Sequence, residues 1–230
     1  MDQEILRRRQ KQVLHDEKWT KFLKRSKPFR HIPFVDFVLG AGSMALGNVR
    51  EGSDFDVIVG ARQGRIFTAR FFSVLVFEIL GWRRPKDHLS EGDIRDRICL
   101  NHFVAPAGYR LRPPYNDYWL ALYKNLVPIF GKKDLIEKFF KANADWAPSP
   151  IFKEDDSRYN PGNDSVLKLF LEYLLGGQLG DSMEKFLKKV QIRKIERSLK
   201  AWKPRSKPRV IYNDEVLEFH AEFIELRDSL

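Results

Sequence analysis

Two acidic residues, Asp54 and Asp56, stand at the head of the apolar run Phe55-Asp56-Val57-Ile58-Val59. In a β-strand, positions i and i+2 project to the same side, so both carboxylates enter one small space. Like charges that close destabilise each other unless a cation lies between them. Mg2+ or Mn2+ suits such a pair, because hard divalent ions prefer carboxylate and phosphate oxygens. Eleven residues before Asp54 comes Ser43, preceded by Gly42 and followed by Met44–Leu46, a stretch that reads as a first helical turn. Backbone N–H groups at a helix start attract anions. Gly42 lets the backbone approach a phosphate closely, and the Ser43 hydroxyl can donate to it. Paired carboxylates beside a phosphate-binding turn describe a site for a nucleoside triphosphate.

Elements on either side must position these residues. Phe34–Leu39 reads as a first strand leading into the Gly-Ser turn, and Phe55–Val59 as a second strand carrying the acids. After the turn at Gly60–Gly64, Arg65–Leu80 reads as a helix, apolar nearly all round and so packed on a sheet. Arg83–Gly92 is a polar loop, and Arg97–Val104 a third strand that Pro106 ends. Ahead of these, residues 3–25 form a basic helix ended by Pro28 and Pro33. Beyond Pro113-Pro114, helices are expected over Tyr115–Phe130, Asp134–Asn143, Asp164–Leu175, Asp181–Trp202 and Glu215–Asp228, with a short strand at Arg209–Tyr212. The expected class is α/β (α+β): a basic helix over 1–30, a catalytic domain with a mixed sheet over 31–112, and a mostly helical domain over 113–230.

Composition narrows the partners. The chain has 230 residues, a net charge of +10 and 13% aromatics including 18 Phe, enough for a substantial core and a preference for polyanions. The single cysteine, Cys99, excludes an internal disulfide and a cysteine-based zinc site. The charged start Met1–Gln10 does not read as a signal peptide, and Ile66–Trp82, the longest apolar stretch, is interrupted by Arg70 and Glu78. A cytoplasmic protein is expected. The basic charge is concentrated. Residues 185–210 hold eleven Lys/Arg against one acid, and residues 1–30 hold ten against four. At 3.6 residues per turn, Lys185, Lys189, Arg193 and Lys200 fall within about 80° of one another, a face that can track RNA phosphates.

The pattern Gly42-Ser43, a gap of about ten residues, then Asp54-Phe55-Asp56-Val57 between apolar strands resembles the signature of the DNA polymerase β-like nucleotidyltransferase superfamily. Leu46-Gly47 and Ser53 are similar to its small bacterial and archaeal members, the minimal nucleotidyltransferases and tRNA-tailing enzymes. The resemblance spans roughly residues 34–106. It implies transfer of a nucleoside monophosphate from a triphosphate to a hydroxyl, here an RNA 3′ end with tRNA among the candidates, with pyrophosphate released. It also implies an α/β catalytic domain followed by a helical one. Members usually add a third Asp or Glu on a neighbouring strand. At that place the third strand offers Asn101, with Asp96 as the alternative and Asp93 further off. An amide can ligate a metal but brings no charge and cannot act as a base. Two rival readings stay open: a nucleotidyltransferase acting on small molecules or proteins, and a silent nucleotide- or RNA-binding module.

Other residues have plainer readings. His102 would face the side of its strand opposite Asn101, and His15, His31, His88 and His220 show no metal-ligand spacing. Tyr115, Tyr118, Trp119 and Tyr123, at helical spacing, read more simply as core than as base-stacking residues. Arg62 and Arg65, just after the second strand, are candidates to contact the triphosphate or primer, against a solvated turn.

Overall fold

The computed structural model describes residues 3–85, 94–148, 155–162, 164–201 and 209–220. Its strands are β1 (Val35–Gly40), β2 (Phe55–Ala61), β3 (Ile98–Val104), β4 (Val127–Gly131), β5 (Arg209–Tyr212) and β6 (Val216–His220). Seven α-helices lie among the described residues: α1 (Gln3–Ser26), α2 (Gly42–Leu46), α3 (Ile66–Ile79), α4 (Asp117–Lys124), α5 (Lys133–Asn143), α6 (Val166–Leu174) and α7 (Gln178–Ala201). The strands form one open mixed sheet in the order β4-β1-β2-β3-β6-β5. Only the β2–β3 pair is parallel, with α3 as its crossover; the other pairs are antiparallel.

Alternation along the strands splits the core in two. One face buries Phe55, Val57, Val59, Ile98, Leu100 and Phe103 against Phe22 of α1, Phe67 and Phe77 of α3 and Leu187 of α7. The other buries Phe37, Leu39, Ile58 and Val104 against Trp119 and Tyr123 of α4 and Phe139 of α5. Each fully buried Phe contributes on the order of 2–3 kcal/mol, so this double layer is what holds the sheet rigid. The second face is also the face of Asp56. The third helix lacks a cap of its own: the Arg65 side chain makes no capping bond. Glu184 of α7 supplies it, accepting from Phe67 N at 2.9 Å, Thr68 N at 2.8 Å and Thr68 Oγ1 at 2.5 Å.

Two expected helices are corrected. Tyr115–Phe130 is not one helix: α4 stops at Lys124, and Val127–Gly131 pairs with β1 as an edge strand. Pro128 cannot continue a helix and disfavours it at the preceding residue; on an edge strand it is tolerated. Glu215–Asp228 begins as β6 rather than as a helix, and residues 221–228 lie outside the described residues. The cause is the turn before it. Asn213 Oδ1 accepts from Glu215 N at 2.9 Å and Val216 N at 2.8 Å, closing a hairpin between β5 and β6. The sheet therefore draws three of its strands from beyond residue 112. The helix expected over Asp181–Trp202 runs from Gln178 to Ala201, and Trp202 lies outside the described residues.

Candidate active site

The acid pair sits where β2 begins. Ala41 N, at the end of β1, donates to Asp56 O at 3.0 Å, which docks the β1–α2 turn against the acidic strand. Gly42 follows with φ +59°, a backbone region that favours glycine, and a Cβ there would lie 2.0 Å from Asp56 Oδ2. The space at Gly42 is thus taken up by the carboxylate itself. Ser43 is half-buried on the first turn of α2, and Gly47 ends that helix with φ +73°. The loop entering β2 is held from beneath. The buried Lys18 ammonium donates to Glu51 O at 2.6 Å and Ser53 O at 2.9 Å.

Three residues converge at the head of β2: ligand atoms of Asp54, Asp56 and Cys99 all lie within 4.8 Å of one another. Burial, with the Asp54 charge added, pushes the Asp56 carboxyl from 3.8 up to about 7. Burial and the two acids push the Cys99 thiol well above its ordinary value, so it is held as the protonated thiol. Arg84 reaches in from the segment before β3, its guanidinium 2.7 Å from Asp54 Oδ2 and 3.8 Å from Cys99 Sγ. Burial first, then Asp56, Cys99 and Asp54, raises the Tyr118 hydroxyl, which places the phenol of α4 within the field of the acids. Two close carboxylates, both half-buried and one already drawn to a guanidinium, are suited to a hard divalent cation. The thiol adds no hard ligand.

The structure separates several residues that the sequence grouped. Directly across from Asp56 on β3 is Cys99, not Asn101. The pairing runs Asp56↔Cys99 and then Ile58↔His102, so β3 carries a bulge at Leu100–Asn101. The bulge takes Asn101 out of register and turns His102 onto the face of Ile58, the face of Asp56 rather than the opposite one. Asp96 is turned away, its carboxylate 2.7 Å from Lys18 Nζ and 2.6 Å from Lys21 Nζ. Burial opposes its charge, yet the two lysines hold Asp96 below the usual carboxylate range. It is a structural ion pair to α1, not a third ligand. Asp93 lies outside the described residues. Arg62 and Arg65 sit at the far end of β2, about 25 Å of strand from Asp54 at ~3.3 Å per residue. There Arg62 bridges Asp36 (3.2 Å) and Glu172 (2.8 Å), and Arg65 pairs with Asp181 (2.6 Å). Both lock α6 and α7 to the sheet and take no part in the acid site. Arg84 was the residue of this cluster hardest to see; its only signal is a basic pair, Arg83-Arg84, ahead of β3.

The aromatic series on α4 packs as core. Trp119 and Tyr123 are buried, and Tyr115 stacks on Trp146 at 4.2 Å. On α7, Lys185, Lys189, Arg193 and Lys200 are all exposed, and Glu184, Leu187, Gln191 and Ile195 on the other side are buried against the body. Phe186 and Val190 lie exposed beside the basic face. Lys203, Arg205 and Lys207 of the same basic block lie outside the described residues.

Comparison with protein-family models, with curated proteins and with solved structures gave no match for this chain. Among the described residues, no helix is long and apolar enough to cross a membrane.

Proposed function

We propose that this chain transfers a nucleoside monophosphate from a nucleoside triphosphate to a hydroxyl acceptor, an RNA 3′ end, with pyrophosphate as the leaving group. One observation carries the reading: the Asp54 and Asp56 carboxylates lie within 4.8 Å of each other where β2 begins, and the Asp56 carboxylate lies against Gly42 in the turn that ends β1. In this reading Asp54 and Asp56 would hold Mg2+ or Mn2+, which would supply Lewis-acid stabilisation of the negative charge on the phosphoryl oxygens. Gly42 and Ser43 present backbone and hydroxyl donors to the terminal phosphates. Arg84, beside Asp54, would present its guanidinium to the triphosphate as a bidentate donor. The exposed basic face of α7 supports RNA as the acceptor.

The test is to incubate the protein with each α-labelled triphosphate, Mg2+ or Mn2+ and total RNA, beside Asp54→Asn and Asp56→Asn. Label should enter RNA with the parent and be lost in either variant, since removal of one ligand costs several kcal/mol of transition-state stabilisation. Undiminished labelling by a correctly folded Asp56→Asn protein would refute the assignment. A second reading, a silent nucleotide- or RNA-binding module, is favoured by the Arg84–Asp54 ion pair and by a thiol where a third carboxylate was expected. Triphosphate binding with no pyrophosphate release for any acceptor would select it.

A further inference from the structure

A second cluster of metal-binding residues lies on the same sheet face, in strands β3 and β6. His102 is the direct cross-strand partner of Glu218, and His220 lies two residues further along β6 on the same side. Their ligand atoms all fall within 4.8 Å of one another. Glu218 is fully buried and His102 is 3% exposed. The carboxylate is used at one oxygen only: Arg209 Nε donates to Glu218 Oε1 at 2.6 Å. Glu218 Oε2 and His220 Nε2 are buried without hydrogen-bond partners. Trp119 of α4 covers the cluster, its ring 4.9 Å from His220 and 6.4 Å from His102, with Arg209 stacked on it at 5.3 Å.

Buried polar atoms without partners are costly, and a native fold leaves few of them. Two such atoms on residues that cluster with a third ligand from the neighbouring strand point to something that fills the gap. We infer that His102, Glu218 and His220 bind one divalent transition-metal ion, zinc by ligand type, which clasps the β5–β6 hairpin to β3. Two imidazoles and one carboxylate are a recurrent three-ligand set for such ions. A tetrahedral zinc with bonds of about 2.0–2.1 Å holds its ligand atoms ~3.3 Å apart, so the cluster closes by small side-chain rotations. Arg209 is the outer partner that holds Glu218 through Oε1, and His220 Nε2 stands 3.7 Å from that same oxygen. The Mg2+ site proposed at Asp54 and Asp56 uses different residues, and neither depends on the other.

The test uses the full chain, stripped with a chelator and titrated with Co2+ and then Zn2+. The expected results are one equivalent of Co2+ with visible absorption of a low-coordinate site, its displacement by Zn2+, and a rise in Tm that chelator reverses. Trp119 fluorescence should be quenched by Co2+ and the quench reduced in Trp119→Phe. His220→Asn, at the strand end and about one-quarter exposed, should weaken Co2+ binding at least about 100-fold, as should Glu218→Gln. The Asp54→Asn/Asp56→Asn double variant should bind Co2+ as the parent does. No Co2+ or Zn2+ bound by the parent, equal binding by a folded His220→Asn protein, or loss of the Co2+ spectrum in the double variant would each overturn the assignment.

Discussion

Replacing Asp56 with Asn should stabilise the metal-free protein at neutral pH, and by an amount that depends on pH. Asp56 titrates at about 7 in the fold and near 3.8 when unfolded. Between those values the folded chain binds more protons than the unfolded chain, so stability falls as pH rises through that window and is flat above it. At about 1.36 kcal/mol per pH unit the full penalty is ~4 kcal/mol. Asp56 keeps some surface, and Arg84 screens the pair; about half, ~2 kcal/mol, is the expected observable. Urea unfolding in the presence of EDTA, at steps from pH 4 to pH 8, measures it. The advantage of Asp56→Asn over the parent should be near zero at pH 4, grow towards pH 7 and then level off. Saturating Mg2+ should reverse the order: at 100 times its Kd a ligand specific for the folded state adds about 2.7 kcal/mol, and only the parent keeps both carboxylates. A difference that stays constant from pH 4 to pH 8 would show that Asp56 is not held against its charge, and the electrostatic case for a cation at the site would fall with it.

Three further outcomes are expected. Arg84→Met should lower metal-free stability by no more than about 1 kcal/mol, because the ion pair is partly exposed, yet tighten Mg2+ binding measured by calorimetry, since the guanidinium no longer competes for Asp54. Glu184→Ala leaves Phe67 N and Thr68 N buried without acceptors and should cost about 2–3 kcal/mol in urea unfolding at unchanged slope; Glu184→Gln should cost about 1 kcal/mol, the charge–dipole part alone. Exchanging Lys185, Lys189, Arg193 and Lys200 for Ser should flatten the dependence of RNA affinity on salt by nearly 3 in log K against log salt, at about 0.7 per phosphate contact, and leave binding of free triphosphate unchanged.

The acid pair was legible in the sequence because everything that places it is local. Period-two alternation puts Asp54 and Asp56 on one face, and the β-branched run Val57-Ile58-Val59 makes the strand. The glycine turn lies within a dozen residues. What was not legible depends on pairings between distant segments. Nothing in Ile98-Cys99-Leu100-Asn101-His102 announces a bulge, yet the bulge decides that Cys99 and not Asn101 faces Asp56. Arg62 and Arg65 read as phosphate contacts until Glu172 and Asp181, on helices far along the chain, claim them. The His102–Glu218–His220 cluster has no spacing to find. Glu218 and His220 are two apart on a strand first taken for a helix, and the third member arrives by strand pairing.

The misread helix at Tyr115–Phe130 shows how one local break organises both clusters. Consecutive helix residues diverge by about 100°, so Tyr118 and Trp119 leave α4 in different directions. Tyr118 lies in the field of Asp56, Cys99 and Asp54, and Trp119 packs on His102, His220 and Arg209. A helix running on to Phe130 would have used up Val127–Gly131. Because Pro128 stops it, that segment pairs with β1 instead, Phe37↔Gly131 and Gly40↔Val127, with a one-residue shift between Val38 and Leu39. Gly131, at φ +117°, comes so close to β1 that a Cβ there would lie 2.3 Å from Asp36 O. The strand that ends at the Gly42 turn is thereby fixed on both edges, by β2 on one side and β4 on the other. The rigidity of the turn against Asp56 thus traces in part to a proline that lies nowhere near it in sequence.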